Sequence, residues 1–471
     1  MKFLAYLPLN LLIALSTLLV ACGSPSELER IQKRETLHVI SRNAPGIYYE
    51  GKENSEGLEY ELVSMFAEHL GVELDLKVAG TRSQVRSALD NRYTNMAAAM
   101  IVTNEFNTDK YLHSESFLEA TPLIVYRYGS TRPRKIEDIV GKRIAVAVDS
   151  LLILELEKHK EQFPSLEWET MSEDTEDLIR MVQDQIVDYA LVYSLELQLH
   201  RPYYPRVREA FELAETRGVA WFFPKSTDHS LLNAANDFIR QIKKDGTLMY
   251  LKERYYGHLA QFNYVGARTF IRHSRQRLPK YEDAYKEYSE KYDTDWRLMA
   301  AIGYQESHWR ANAISPTGVR GLMMLTQPTA KDMGVENRLD PIESIKGGIK
   351  YFARIHKRIP ERIPEPDRTW FALASYNVGL GHLEDARILT EKGGKDPDKW
   401  ADVKEFLPLL QQKKYYSKTR YGYARGTEPV IYVQNIRRYY DVLRWIDEGK
   451  QKERPETKTR FEEQLIRYRQ N

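Results

Sequence analysis

The sequence predicts a multidomain chain in which a bilobal α/β half is followed by a mainly α domain. Three observations lead there. The 471 residues suffice for two or three domains with separate cores. Between Thr36 and Gly257, apolar runs of strand length alternate with amphipathic helical segments, the pattern of an α/β layer. From residue 267 onward the apolar spacing is helical throughout. The formal net charge is only +2, so no global field selects nucleic acid, and a single cysteine excludes an internal disulfide framework.

Taken in order, Lys2 precedes an apolar run from Phe3 to Val20, which has the length and flanks of an export signal over residues 1–21. Its end, Leu19-Val20-Ala21-Cys22, resembles a bacterial lipobox. The resemblance implies cleavage before Cys22 and lipidation of its thiol. With Gly23 and Ser24 following and no Asp, it implies the periplasmic face of the outer membrane of a Gram-negative bacterium, as a peripheral or lipid-anchored protein. An ordinary signal peptide that leaves Cys22 unmodified is the alternative. Residues 22–35 then form a polar linker.

The α/β half is expected over 36–266. Its first lobe comprises about 36–126 with 219–257, where Thr36–Ile40, Val72–Val78, Met96–Val102 and Leu123–Tyr126 read as strands and Tyr60–Leu70 as a helix. The second lobe spans 127–218, with strands at Ile144–Val148 and Tyr189–Tyr193 and a helix over Thr175–Asp184. A connector, Gln261–Arg275, carries a boundary at Gly266. The mainly α domain is expected over 267–450, with helices at Lys280–Lys291, Ile342–Ile359 and Trp370–Tyr376, and a mobile tail over 451–471.

One stretch of this second half concentrates the chemistry. A helix starting near Asp295, with Thr294 or Asp295 as its cap, runs into Glu306. Met299, Ile302 and Gly303 share the face of Glu306, so its carboxyl is presented from the apolar side. An acid held against apolar neighbours has its ionised form disfavoured, which lifts its pKa toward neutrality and suits it to general acid work. A lone helical Glu is more often a solvated surface residue, and the surrounding residues decide between the two.

Those residues are Glu306-Ser307, then Ala313-Ile314-Ser315, Gly318-Val319-Arg320-Gly321-Leu322-Met323-Met324-Leu325 and Pro328-Thr329-Ala330. The string resembles the signature of goose-type and soluble lytic transglycosylases. Val319 stands for the usual Ala and Met324 for the usual Gln, departures that resemble the membrane-bound lytic transglycosylase F branch. Ser375-Tyr376-Asn377-Val378-Gly379 resembles the family's A-Y-N-x-G motif, and Glu428-Pro429-Val430-Ile431-Tyr432-Val433 its last motif.

The resemblance implies a lysozyme-like fold that acts on peptidoglycan glycan strands with no cofactor and no metal. Glu306 would be catalytic. Ser315, Gly321, Met323, Met324, Tyr376, Asn377 and Tyr432 would hold substrate, Tyr432 also bonding near the catalytic carboxyl. Such enzymes cleave the β-1,4 bond between N-acetylmuramic acid and N-acetylglucosamine without water, leaving a 1,6-anhydromuramyl end. No acidic residue occurs between Ser307 and Lys331, in keeping with a single acid. Two alternatives remain. One is a lysozyme-like hydrolase using Asp332, Glu336 or Asp340 as second carboxylate, and the other a solute- or wall-binding sensor without catalysis. The basic, tyrosine-rich segment Lys413–Arg438 suits a polymer bearing carboxylates, or else is a solvated surface.

The first half carries a second resemblance, to the periplasmic amino-acid-binding proteins. It rests on Gly57-Leu58-Glu59-Tyr60-Glu61-Leu62, Gly141-Lys142-Arg143-Ile144-Ala145-Val146, Asp245-Gly246-Thr247-Leu248 and Tyr255-Tyr256-Gly257. Where that family places a ligand-clamping Arg, an Asp and a Gly, this chain has Phe106, Tyr193 and Asp149. The ordinary zwitterion pocket is thereby lost. Phe106 and Tyr193 are expected either to stack on a muropeptide or amino acid, or to line a collapsed cleft of a spacer domain.

Overall fold

The structure, a computed structural model, describes residues 25–44, 46–50, 55–103, 106, 109–148, 150, 152–171, 175–259, 264–315 and 318–452. The expectations for the export signal and Cys22, for Asp149 and for the tail beyond residue 452 lie outside them.

Each lobe of the first half is built on one sheet. In the first lobe the spatial order is Glu73–Ala79, Thr36–Arg42, Met96–Val102, Arg217–Pro224 and Tyr111–His113, with Leu118–Ala120 also paired to Arg217–Pro224. Met96–Val102 is a buried strand of a mixed sheet, parallel to Thr36–Arg42 and antiparallel to Arg217–Pro224, and is apolar along its whole length. The second sheet runs Glu169–Met171, Ile144–Ala147, Tyr189–Tyr193, Pro122–Arg127 and Val207–Glu212. The chain therefore changes lobes beside Thr121 and again over 213–216.

Two boundaries differ from the sequence expectation. Leu123–Tyr126 belongs to the second lobe and not the first, because Pro122–Arg127 pairs antiparallel with Tyr189–Tyr193 along its length. Gly266 is no break either, since the helix Tyr264–Gln276 runs through it. The lipophilic face of that helix, with Ala267 and Phe270 buried, already belongs to the core of the second half.

That second half is helical and has one core, in which Met299, Ile302, Tyr304, Trp309, Ile349, Phe371 and Val433 are buried. The helix Trp296–Ser307 runs through its centre. Asp295 caps it by accepting from the Arg297 N–H at 2.8 Å, and Asp295 is itself fixed by Arg297 and by the Tyr440 hydroxyl at 2.8 Å. Its far end closes through two consecutive left-handed residues, His308 and Trp309, each with φ 52°. The Trp309 indole then returns to the Ala300 carbonyl at 2.9 Å, locking the turn onto the helix that bears Glu306.

The C-terminal helix, Thr427–Lys452, joins the two halves. Near its start Tyr432 and Val433 enter the helical core. Further along, Arg437 and Arg438 donate to the carbonyls of Arg254 and His258, and Asp441 pairs with His258 at 2.5 Å. At its far end Trp445 stacks on Tyr203 with ring centroids 5.3 Å apart and donates to Glu176 at 2.8 Å, both in the second lobe. One rigid rod thus touches both lobes and the helical core. Trp445→Ala is expected to cost about 2 kcal/mol of docking, since it removes the stack on Tyr203 and one of the hydrogen bonds that Glu176 accepts. Calorimetry should show the single melting transition of the parent resolving into two.

Candidate active site

The site forms where four segments meet: the end of the helix Trp296–Ser307, the loop residues 313–315 with 318–325, and the helices Asp367–Val378 and Thr427–Lys452. Glu306 is half-buried at their junction. Its Oε1 accepts from the Tyr432 hydroxyl at 2.6 Å, across 126 residues of sequence. Burial pushes the Glu306 carboxyl up to about 7, while the Tyr432 hydrogen bond pulls the other way. Among the described residues no charged side chain adds to this balance. Tyr432 itself is buried, and desolvation next to Glu306 holds its phenol protonated well above the ordinary range. It is therefore a fixed donor to the carboxyl.

Tyr376 lies close enough to Glu306 to feel its charge and is likewise kept protonated. Its hydroxyl donates to the Met323 carbonyl at 3.0 Å, and its ring packs on Tyr351. Met323 is clamped further. Its N–H donates to the Ser344 hydroxyl at 3.0 Å and its sulfur accepts from the buried Tyr285 hydroxyl at 3.4 Å. Gly303 makes room for that Tyr285 hydroxyl, because a Cβ there would lie 1.9 Å from it.

In this loop the described residues 313–315 and 318–325 form a small β flap, with Arg320 bridged to Ile314 on one side and to Leu325 on the other. Ser315 closes it: its hydroxyl accepts from the Val319 N–H at 2.9 Å and its N–H donates to the Val319 carbonyl at 2.8 Å. Gly321 turns at φ 97°, where a Cβ would meet the Arg338 carbonyl at 2.1 Å. Met324, in the place of the family's Gln, sits in the left-handed region at φ 47°. Gly321→Ala combines strain with a clash, so it is expected to destabilise the domain by about 2–3 kcal/mol, read as a lowered Tm.

Of the sequence-predicted residues, Glu306, Tyr432, Tyr376 and Met323 are brought together directly. Ser315, Gly321 and Met324 shape the flap beside them, and Asn377 is exposed at the end of its helix. Two of the three second carboxylates considered for hydrolysis are otherwise engaged. Asp332 is ion-paired to Arg354, Asp340 caps the helix Pro341–Arg358, and Glu336 is exposed. Tyr285 and Ser344 carry no signal in the sequence, since neither belongs to a motif and both act through Met323.

In the first half, Phe106 lies in the first lobe's core, 5% exposed, between Tyr111 and Phe222. Tyr193 is 5% exposed and starts the helix Ser194–His200 in the second lobe. Ion pairs also join the lobes. Arg82 of the first lobe donates to Glu196 of the second at 3.0 Å, and Arg217 pairs with Glu155. Behind this contact Glu59 is fully buried, which pushes its carboxyl up to about 8 although the Met100 N–H donates to it at 2.5 Å.

A single acid with a near-neutral pKa, set in a helical domain behind a two-lobed α/β domain, defines a modular lytic enzyme of the transglycosylase class. Residues 283–399 match the transglycosylase SLT domain, and residues 37–258 match the bacterial extracellular solute-binding proteins, family 3. The chain is 52% identical over 437 residues to the membrane-bound lytic murein transglycosylase F of Hahella chejuensis, covering 92% of this chain and 86% of that one. It is 49% identical over 450 residues to the protein of the same name from Marinobacter nauticus, covering 93% and 87%. Among solved structures, a mutant arginine-binding protein from T. maritima aligns over 49% of this chain and 99% of its own, with 20% identity and a TM-score of 0.44. The chain belongs to the membrane-bound lytic murein transglycosylase F family.

Proposed function

We propose that this enzyme cleaves the β-1,4 bond between N-acetylmuramic acid and N-acetylglucosamine in peptidoglycan without water, leaving 1,6-anhydromuramyl ends. The observation that carries this reading is Glu306 itself: one carboxyl, pushed up to about 7 by burial, with Tyr432 as its fixed donor. Protonated Glu306 gives its proton to the glycosidic oxygen as the bond from muramyl C1 breaks. The substrate's own acetamido group supports the oxocarbenium-like centre, a role that a second protein carboxylate fills in conventional glycosidases. Glu306, now ionised, takes the proton of the muramyl C6 hydroxyl, and O6 closes onto C1. Each half uses one group in both protonation states, which a pKa close to ambient pH allows.

Chromatography of the products from purified sacculi tests this. Anhydro ends are expected, whereas reducing ends would assign a hydrolase.

The two lobes, by their likeness to solute-binding proteins, are a ligand module for an amino acid or muropeptide. Calorimetric titration of the full chain checks this. Heat on adding either ligand is expected, and its absence with both would leave a spacer. Anchoring is proposed through Cys22 at the outer membrane, and Cys22→Ala is expected to release the protein to the soluble periplasmic fraction.

A further inference from the structure

The catalytic residues leave unexplained an exposed aromatic loop that the fold holds rigidly. Asp385, buried on the helix Leu380–Lys392, accepts from the backbone N–H groups of Arg420 and Tyr421 at 3.0 and 2.8 Å. Two charge-assisted hydrogen bonds to consecutive amides fix the Tyr421 backbone as firmly as a core residue. The Tyr421 ring lies flat over Gly381, where a Cβ would meet its Cδ1 and Cε1 at 2.8 Å. Gly381 lies near the start of the helix Leu380–Lys392, which follows the helix carrying Tyr376 and Asn377 after the turn at Gly379. His382 packs edge-on to it at 6.1 Å, and the enclosed His382 Nδ1 has no hydrogen-bond partner among the described residues.

Despite this support the ring is 52% exposed, and Tyr423, whose ring meets Tyr416 edge-on at 5.6 Å, is 56% exposed. Core packing does not account for an immobilised ring facing water. Positive charge borders it: the Arg420 guanidinium lies 5.6 Å from the ring centroid, and Lys413, Lys414 and Lys418 are exposed nearby in sequence.

We propose that Tyr421 is a substrate-positioning platform, on which one pyranose face of the glycan strand stacks beyond Asn377 while Arg420 meets a carboxylate of the attached peptide stem. This rests on the transglycosylase reading and extends its groove. A preorganised ring pays no ordering entropy on binding, and the apolar C–H face of a sugar matches its π face. The guanidinium beside it supplies the charge that a neutral glycan would not require.

The test is steady-state cleavage of purified glycan strands by the full chain and by Tyr421→Ala, Tyr421→Phe and Gly381→Ala. Removing the ring, or lifting it with a methyl group at residue 381, is expected to raise KM about tenfold while kcat stays within about twofold. Tyr421→Phe keeps the face and should match the parent. Binding to purified sacculi is measured alongside in a Glu306→Gln background, where adding Tyr421→Ala should weaken retention by a similar factor. Unchanged KM and retention would overturn the proposal. So would a fall in kcat together with Tm in Tyr421→Ala and Tyr421→Phe alike, since that pattern marks a structural residue. If the parent itself yields reducing ends, the transglycosylase reading fails while the retention measurement still decides the platform.

Discussion

Glu306→Gln is expected to lower turnover of peptidoglycan by at least about 10³-fold while leaving the fold intact. The amide keeps the shape of the carboxyl and can still accept from Tyr432, but it has no proton to give and no charge with which to take one. The same variant should change the pH dependence of stability in a defined direction. Burial raises the folded pKa of Glu306 from 4.5 to about 7, so folding favours the protonated form. That contribution is complete below about 4.5 and is lost as pH rises through about 7. Its size is on the order of 3 kcal/mol. The parent Tm should therefore fall between about pH 4.5 and 7, and Glu306→Gln, which does not titrate, should lack that part of the fall. Equal slopes would show that the carboxyl is not held in its neutral form.

Tyr432→Phe is expected to have the next largest effect. The ring remains to fill the core, so the Tm should shift little. The lost hydrogen bond had stabilised the ionised carboxyl, which Glu306 must become midway through the reaction. A hydrogen bond to a charged group contributes roughly 1.5–3 kcal/mol, so kcat should fall about 10- to 100-fold. The pKa of Glu306 should rise above about 7 because the one lowering influence is gone. The alkaline limb of kcat/KM, which reports loss of the acid form, should move to higher pH. A drop in rate with an unmoved limb would assign Tyr432 a packing role.

Much of this site is legible before any coordinates. Met299, Ile302 and Gly303 on the face of Glu306 already imply a desolvated acid, and the structure gives the same physical cause for its raised pKa. Tyr432 is different. Its bond to Glu306 spans 126 residues, a distance over which periodicity says nothing, and only the motif resemblance singled it out. Tyr285 and Ser344 were invisible because they act by holding Met323 in place, a property of packing and not of any local pattern.

The lobes show the same limit. Leu123–Tyr126 reads correctly as a strand, yet an apolar run does not say which sheet will accept it, and the antiparallel pairing with Tyr189–Tyr193 took it into the second lobe. Phe106 and Tyr193 stand out in the sequence as departures from a ligand-binding pattern, whereas one of the polar contacts across the lobes is the pair Arg82 and Glu196. Those two residues are 114 apart, and charged residues at that separation have no signature that marks them as partners.

In the proposed reaction a single carboxyl moves one proton out and one back with no water consumed. Digestion of purified sacculi in water enriched in ¹⁸O, followed by mass spectrometry of the released muropeptides, tests this most directly. Cleavage without water predicts 1,6-anhydromuramyl ends carrying no ¹⁸O. Reducing muramyl ends with one ¹⁸O at C1 would contradict it.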